Sequence, residues 1–402
     1  MQNNWKTVSL GDIATLITSG SRGWAGYYAD EGSKFIRMTN LPRVGISLKL
    51  NDLKYVKLPA NNSEGSRTLL TEGDVLISIT AELGKIGYVT ESLGEAYINQ
   101  HLALVRFDRN KVEPKFVAYA LSTTTSRNAF NRRNDSGAKA GLNLPTIKKF
   151  HIKIPDIAEQ RRIIAILETW DEYIKKIAST IDVKERLKDD LIQELLSGKR
   201  RLDGYSRDWK DVSLDELVKN NQITMGRGDV ISKKDIEAYP GDYPIYSSSV
   251  KNDGLFGQYG KYMFDEELVS WSVDGGGHFF YRPKSRFSVT NVSGWIRVND
   301  EQLSCHFLAL QLQMLHRRKT FDYQFKAHPS VIRSIYNLSL PTIEEQRAIV
   351  EIIDTSVTEI KLLHKKKLAM QEQYKYLVTA IFSGHLNVPS DSFTSREELQ
   401  HA

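Results

Sequence analysis

The feature that most constrains this chain is an internal repeat. Residues 154–168 read Ile-Pro-Asp-Ile-Ala-Glu-Gln-Arg-Arg-Ile-Ile-Ala-Ile-Leu-Glu, and residues 340–354 read Leu-Pro-Thr-Ile-Glu-Glu-Gln-Arg-Ala-Ile-Val-Glu-Ile-Ile-Asp. The same offset of 186 residues aligns Leu191–Gly198 with Leu377–Gly384, each closing on Ser-Gly. Two further echoes precede these segments. Trp5-Lys6-Thr7-Val8-Ser9-Leu10 matches Trp209-Lys210-Asp211-Val212-Ser213-Leu214, and Pro114–Tyr119 faces Cys305–Ala309. A fixed-offset repeat means one structural unit used twice. The order is globular unit, helix, globular unit, helix.

The helical segments are legible in their spacing. Ile163, Leu167, Trp170, Ile174, Ile177 and Ile181 recur at intervals of 4-3-4-3-4. Ile349, Ile353, Val357, Ile360 and Leu363 start a second seam, continued by Met370, Tyr374, Leu377 and Ile381, with Lys367 where an apolar residue is due. Such a period over about 40 residues predicts a coiled-coil helix of roughly 60 Å. Two matched seams predict that the helices pack on each other, antiparallel. Pro155-Asp156-x-x-Glu159 and Pro341-Thr342-x-x-Glu345 read as capping boxes in which the Glu reaches back to the cap.

The globular segments read as β-rich with one helix each. Strands are expected at 74–80, 85–90 and 98–107, then at 243–248, 267–273, 278–281, 287–290 and 294–298. Helices are expected over 114–132 and about 304–318. The expected fold is α+β: two β-rich recognition domains, duplicated about a pseudo-two-fold and separated by two long antiparallel coiled-coil helices. The expected boundaries are 1–153 and 203–339 for the domains, 154–202 and 340–388 for the helices, and 389–402 for a flexible tail.

Composition narrows the function. Length suggests two to three domains, and 41% apolar with 26% charged residues is ordinary for a globular chain. A single cysteine, Cys305, excludes a disulfide framework and fits a reducing compartment. The first residues carry no basic and apolar leader, and no apolar run approaches a bilayer span, so a cytoplasmic protein without membrane contact is expected. The net charge of +6 is uneven. Residues 1–150 hold 20 basic and 13 acidic side chains, whereas residues 203–340 hold 17 of each. The basic excess suits a polyanion.

Signs of catalysis are missing. There is no phosphate-cradling Gly-x-x-x-x-Gly-Lys-Ser/Thr loop, no Asn/Asp-Pro-Pro-aromatic tetrapeptide and no metal-spaced histidine cluster. Pro155-Asp156 and Asp182-Val183-Lys184 imitate a nuclease pattern, but both lie on one predicted helix, about 40 Å apart, and cannot share a metal. Asp274-Gly275-Gly276-Gly277-His278 lacks the strand–turn–helix setting of a dinucleotide site and reads as a turn. Cys305-His306 reads as helix interior.

Two unlike domains alternating with two helices that open Pro-x-Ile-x-Glu-Gln-Arg and close Ser-Gly resemble the specificity subunit of type I restriction–modification systems. Asn143-Leu144-Pro145-Thr146-Ile147 before Ile152-Lys153-Ile154-Pro155 is similar to the family's lead-in, from which Ala327-His328-Pro329-Ser330-Val331 departs. The resemblance implies that each domain reads one half of a split site in double-stranded DNA. It implies two modification subunits that bind S-adenosylmethionine, restriction subunits that use ATP and Mg, and no cofactor or metal in this chain. The alternative is a duplicated coiled-coil scaffold binding protein or carbohydrate.

Base and phosphate contacts call for Arg, Lys, Asn, Gln, Ser or Thr on loops. The candidates in the first domain are Ser21, Arg22, Trp24, Arg37, Thr39, Asn40, Arg67, Lys85, Arg132, Arg133 and Lys139. Those in the second are Arg227, Ser247, Ser248, Lys251, His278 and Lys326. Helix packing and partner docking are expected of Ile163, Leu167, Trp170, Ile174, Ile177, Ile181, Ile349, Ile353, Ile360, Leu363, Tyr374 and Leu377.

Overall fold

The apolar periodicity resolves, in the computed structural model, into two long helices, Ile157–Leu196 and Ile343–Ser383. The structure describes residues 5–20, 22–59, 63–133, 141–274, 277–317, 319 and 327–388. Ser21, Lys139, Lys326 and the tail 389–402 lie outside the described residues. The chain forms two compact units, residues 1–179 with 365–402, and residues 180–364. Each long helix therefore contributes one half to each unit.

In the first unit the seam residues Ile163 and Leu167 are buried in one cluster with Tyr374, Val378 and Ile381 of the second helix, and with Phe116 and Tyr119 of a short helix. In the second unit Leu195 and Leu196 are buried with Ile349 and Ile353. The opening half of each helix thus packs on the closing half of the other, which makes the pair antiparallel. Ile177, Ile181 and Ile360 are also buried, while Trp170, Ile174, Leu363, Lys367 and Leu377 are half-buried. Both helices end at the matched Ser-Gly. Gly198 and Gly384 adopt φ of +69° and +78°, the left-handed turn that stops a helix and favours glycine.

The helix starts differ from the expectation. Asp156 Oδ1 accepts the Glu159 N–H at 2.8 Å, so one arm of the capping box forms. The other arm goes elsewhere: Glu159 accepts the Trp5 indole N–H at 3.1 Å, and Glu345 holds Arg201 through two bonds of 2.8 and 2.9 Å. A carboxylate offered an indole or a guanidinium gains more than it would from its own solvated backbone.

In the first unit a four-stranded antiparallel sheet runs in the order Ala14–Ser19, Leu102–Phe107, Val75–Ser78, Ile86–Tyr88. Val75 and Ile77 face the helices, while Leu76 and Leu104 face a second cluster with Ile36 and Ile98. Burial on both faces explains the unbroken apolar run of the central strand. A smaller sheet orders Tyr28–Ala29, Lys54–Val56, Ser33–Ile36 and Ala96–Ile98, the last pair parallel. The second unit has one six-stranded sheet: Ile223–Arg227, Ser293–Val298, Phe264–Ser272, Phe279–Val289, Tyr243–Tyr246, Leu255–Tyr259. Its parallel pair is Tyr243–Tyr246 with Phe279–Val289.

Both units close with the same two-stranded antiparallel ladder. Lys6–Ser9 pairs with His151–Ile154, and Lys210–Ser213 pairs with Asn337–Leu340. Ser9 and Ser213 then cap a short helix each, with Asp12 and Glu216 completing true capping boxes. The fold is α+β and duplicated.

Three expected elements change. The helix 114–132 breaks into Pro114–Ser122 and Thr124–Arg132, because Thr123 is extended and its hydroxyl caps the Ser126 N–H at 3.1 Å. The strand 98–107 splits across two sheets, turning at Asn99, whose side chain accepts the His101 N–H. The strands 278–281 and 287–290 are parts of one long strand, Phe279–Val289.

Candidate nucleic-acid interface

Each unit brings polar side chains together where its parallel strand pair ends. In the first, a Cβ on Gly20 would lie 2.3 Å from the Asn99 carbonyl carbon, so only glycine allows this approach. Beside it Arg67 donates to Ser19 O at 2.8 Å and Thr18 Oγ1 at 3.3 Å. His101 joins Thr80 Oγ1 at 2.8 Å and Gln100 Nε2 at 3.2 Å. In the second unit Gly228 makes the same approach to Val289 and Thr290. There Arg227 donates to the Asn291 carbonyl from Nε, at 3.0 Å, and from Nη2. Thr290 Oγ1 donates to Ser247 Oγ at 3.1 Å.

The structure thus sets Arg67 on Ser19 beside the Gly20–Asn99 approach, and holds Arg227 and Ser247 on the adjoining residues Asn291 and Thr290. The other candidates take no part in these hydrogen bonds. Arg22, Thr39, Arg132, Arg133 and Lys251 are exposed, and Arg133 lies 5.1 Å over Phe150. Ser248 is half-buried. Trp24 is buried against Phe35 and Tyr97. Asn40 is buried, donating to the Lys49 and Asp52 carbonyls at 2.9 and 3.2 Å, and Arg37 pairs with Asp52 at 3.0 Å. Lys85 pairs with Glu82 at 2.7 Å. His278 is half-buried, shares a bond with Gln313 at 3.2 Å, and is held below its ordinary pKa by burial.

The residue reasoning missed most clearly is Arg282, 4% exposed between Tyr246 and Phe280. Its neighbours in sequence are aromatic and basic, and nothing in that run distinguishes it. Thr80, His101, Thr290 and Asn291 meet partners 21 to 64 residues away, Asn99 meets Gly20, and Gln100 is placed through His101, so their neighbours in sequence do not mark them.

Among the described residues no group of three His, Cys, Asp or Glu side chains is placed to hold a metal ion. Burial pushes the Cys305 thiol well above its ordinary range, and His306 stacks on Tyr281 at 3.9 Å. No described helix is long and apolar enough to cross a membrane.

Residues 2–185 and 206–372 each match the family described as type I restriction modification DNA specificity domain. The chain belongs to this family. A Mycoplasma pneumoniae protein named as a type I specificity subunit is 23% identical over 224 residues, covering 55% of this chain and 80% of the relative. Three other proteins of that organism, 29–40% identical, are matched over 43–48% of their own length. A Methanocaldococcus jannaschii protein named as the MjaX type I restriction enzyme specificity subunit is 23% identical over 96% of this chain and 94% of its own. The crystal structure of a type I restriction–modification S subunit from M. genitalium shares the fold, with a TM-score of 0.58 at 14% identity over 96% of this chain and 97% of that one. Two tandem specificity domains thus account for the duplication.

Proposed function

We propose that the chain reads a bipartite, asymmetric target in double-stranded DNA, one half with each unit. The observation that carries this is the mismatch at matched positions. The same frame, strand end and close-approach glycine present Ser19, Arg67, Asn99 and His101 in one unit and Arg227, Ser247, Thr290 and Asn291 in the other. A duplicated frame with unlike polar groups suits two different sequences. In this reading residues 1–153 and 203–339 are recognition domains, and 154–202 and 340–388 carry the spacing helices.

The chain itself performs no chemistry in this proposal. It docks two modification subunits, which bind S-adenosylmethionine and methylate adenine, and restriction subunits, which use ATP and Mg, in the cytoplasm. Tyr173, Val183, Leu187, Leu362, Leu368 and Tyr376 on the long helices are exposed, and docked subunits would cover side chains of this kind.

The test is modified-base sequencing of DNA from a methylation-free host expressing the chain with its modification subunit. N6-methyladenine confined to one split, asymmetric motif supports the proposal. Absence of methylation from a soluble, co-purifying pair contradicts it.

A further inference from the structure

Arg282 lies on the strand Phe279–Val289, opposite Leu268. Its guanidinium carbon is 3.7 Å from the Tyr246 ring centre and 4.6 Å from that of Phe280, and Nε donates to the buried Ser270 hydroxyl at 2.8 Å. Among the described residues Arg282 forms no ion pair within 4.0 Å, and its one protein hydrogen bond is that from Nε. Burial lowers its pKa to about 10. With Nε held by Ser270 and the guanidinium plane set between two rings, the terminal nitrogens keep donor capacity that an acceptor from outside the chain can take.

The loop Ser247–Gly254 passes over the guanidinium: a Cβ on Gly254 would lie 3.2 Å from Nη2. Asn252 and Asp253 hold left-handed backbone at φ of 51° and 50°, which Asn and Asp tolerate better than other side-chain-bearing residues. The loop also carries Ser247, Ser248 and Lys251. Exposed Asp253 interacts electrostatically with Arg282.

We propose that Arg282 is a specificity-determining residue of the second unit, its two terminal nitrogens taking the O6 and N7 acceptors of a guanine in the second half-site. This rests on the reading of that unit as a DNA-recognition unit. Ser270 and the two rings fix the orientation of the fork, so little rotamer freedom is lost on binding. Partial dehydration sharpens discrimination, because a wrong base leaves the fork unpaired. Asp253 disfavours a phosphate here but not a base edge, where a carboxylate accepts from a cytosine amino group. The second domain has no net charge of its own, so its recognition relies on placed groups.

The experiment has a protein arm and a DNA arm. Methylome sequencing of R282Q with the modification subunit should show one guanine position of the second half-site relaxed by roughly 10- to 100-fold. The first half-site and the gap should be unchanged. R282K, which keeps charge and loses the fork, should not restore it. If R282Q fails to fold, the wild-type complex is assayed on duplexes carrying 7-deazaguanine at each guanine of the second half-site. Loss confined to one guanine supports the proposal. It is overturned by a second half-site without a G·C pair, or by uniform loss of affinity with rescue by R282K, which marks a phosphate contact. Equal blurring of every second-half position marks a loop prop and overturns it as well. A wild-type complex with no split target instead overturns the underlying reading.

Discussion

The side-chain oxygen of Gln160 accepts the backbone N–H of Glu113 at 2.9 Å. Its amide donates to the Pro155 carbonyl at 2.9 Å. Gln346 repeats this, accepting the Ser304 N–H at 2.8 Å and donating to the Pro341 carbonyl at 2.9 Å. Both glutamines are 1% exposed. In each unit the glutamine of Glu-Gln-Arg clamps the start of a long helix to the start of the domain helix.

Gln160→Ala and Gln346→Ala should each lower stability by about 1–3 kcal/mol, since a buried donor and acceptor lose their partner. Thermal unfolding checks this. An unchanged Tm for both would remove the clamp from the account.

Asp171 offers a test by pH. Its carboxylate accepts the Tyr119 hydroxyl at 2.8 Å, and burial raises its pKa. An acid whose pKa is raised by folding favours the folded state when protonated. Stability falls as pH climbs from the ordinary carboxylate pKa of about 3.9 through the raised value. Asp171→Asn should therefore be at least as stable as wild type at pH 7 and lose that advantage near pH 4. Unfolding curves from pH 4 to 8 decide it. A variant less stable at pH 7 by the same margin as at pH 4 would contradict the sign.

The repeat, the antiparallel helix pair and the α+β class were legible because apolar spacing and turn residues are local signals. The clamp was not, although Glu-Gln-Arg stood out: Glu113 lies 47 residues from Gln160, and sequence does not specify who meets whom. Likewise Trp24 reads as a loop donor until Phe35 and Tyr97 enclose it. Thr123 ends a helix that its neighbours would continue. Arg282 escapes notice because its enclosure between Tyr246 and Phe280 is a property of the folded sheet.

Lengthening both long helices by one heptad, about 10 Å, should widen the gap between half-sites by about three base pairs and leave each half unchanged. Methylome sequencing reads this directly. Altered half-sites with the original gap would refute a spacing role.

Binding should weaken steeply with salt if phosphate contacts supply much of the affinity. Six such contacts correspond to a loss of about 10³ between 50 and 200 mM. Charge reversal at exposed Arg132 and Arg133 should flatten the slope without changing the preferred sequence. A flat wild-type response measured by fluorescence anisotropy would argue against these basic side chains as contacts.

The central claim is that two unlike units read two unlike half-sites. Selection of duplexes from a random library by the chain bound to its modification subunit tests it most directly. The account predicts two fixed blocks of different sequence separated by a constant number of unspecified base pairs. A single contiguous block, or two copies of one block, would contradict it.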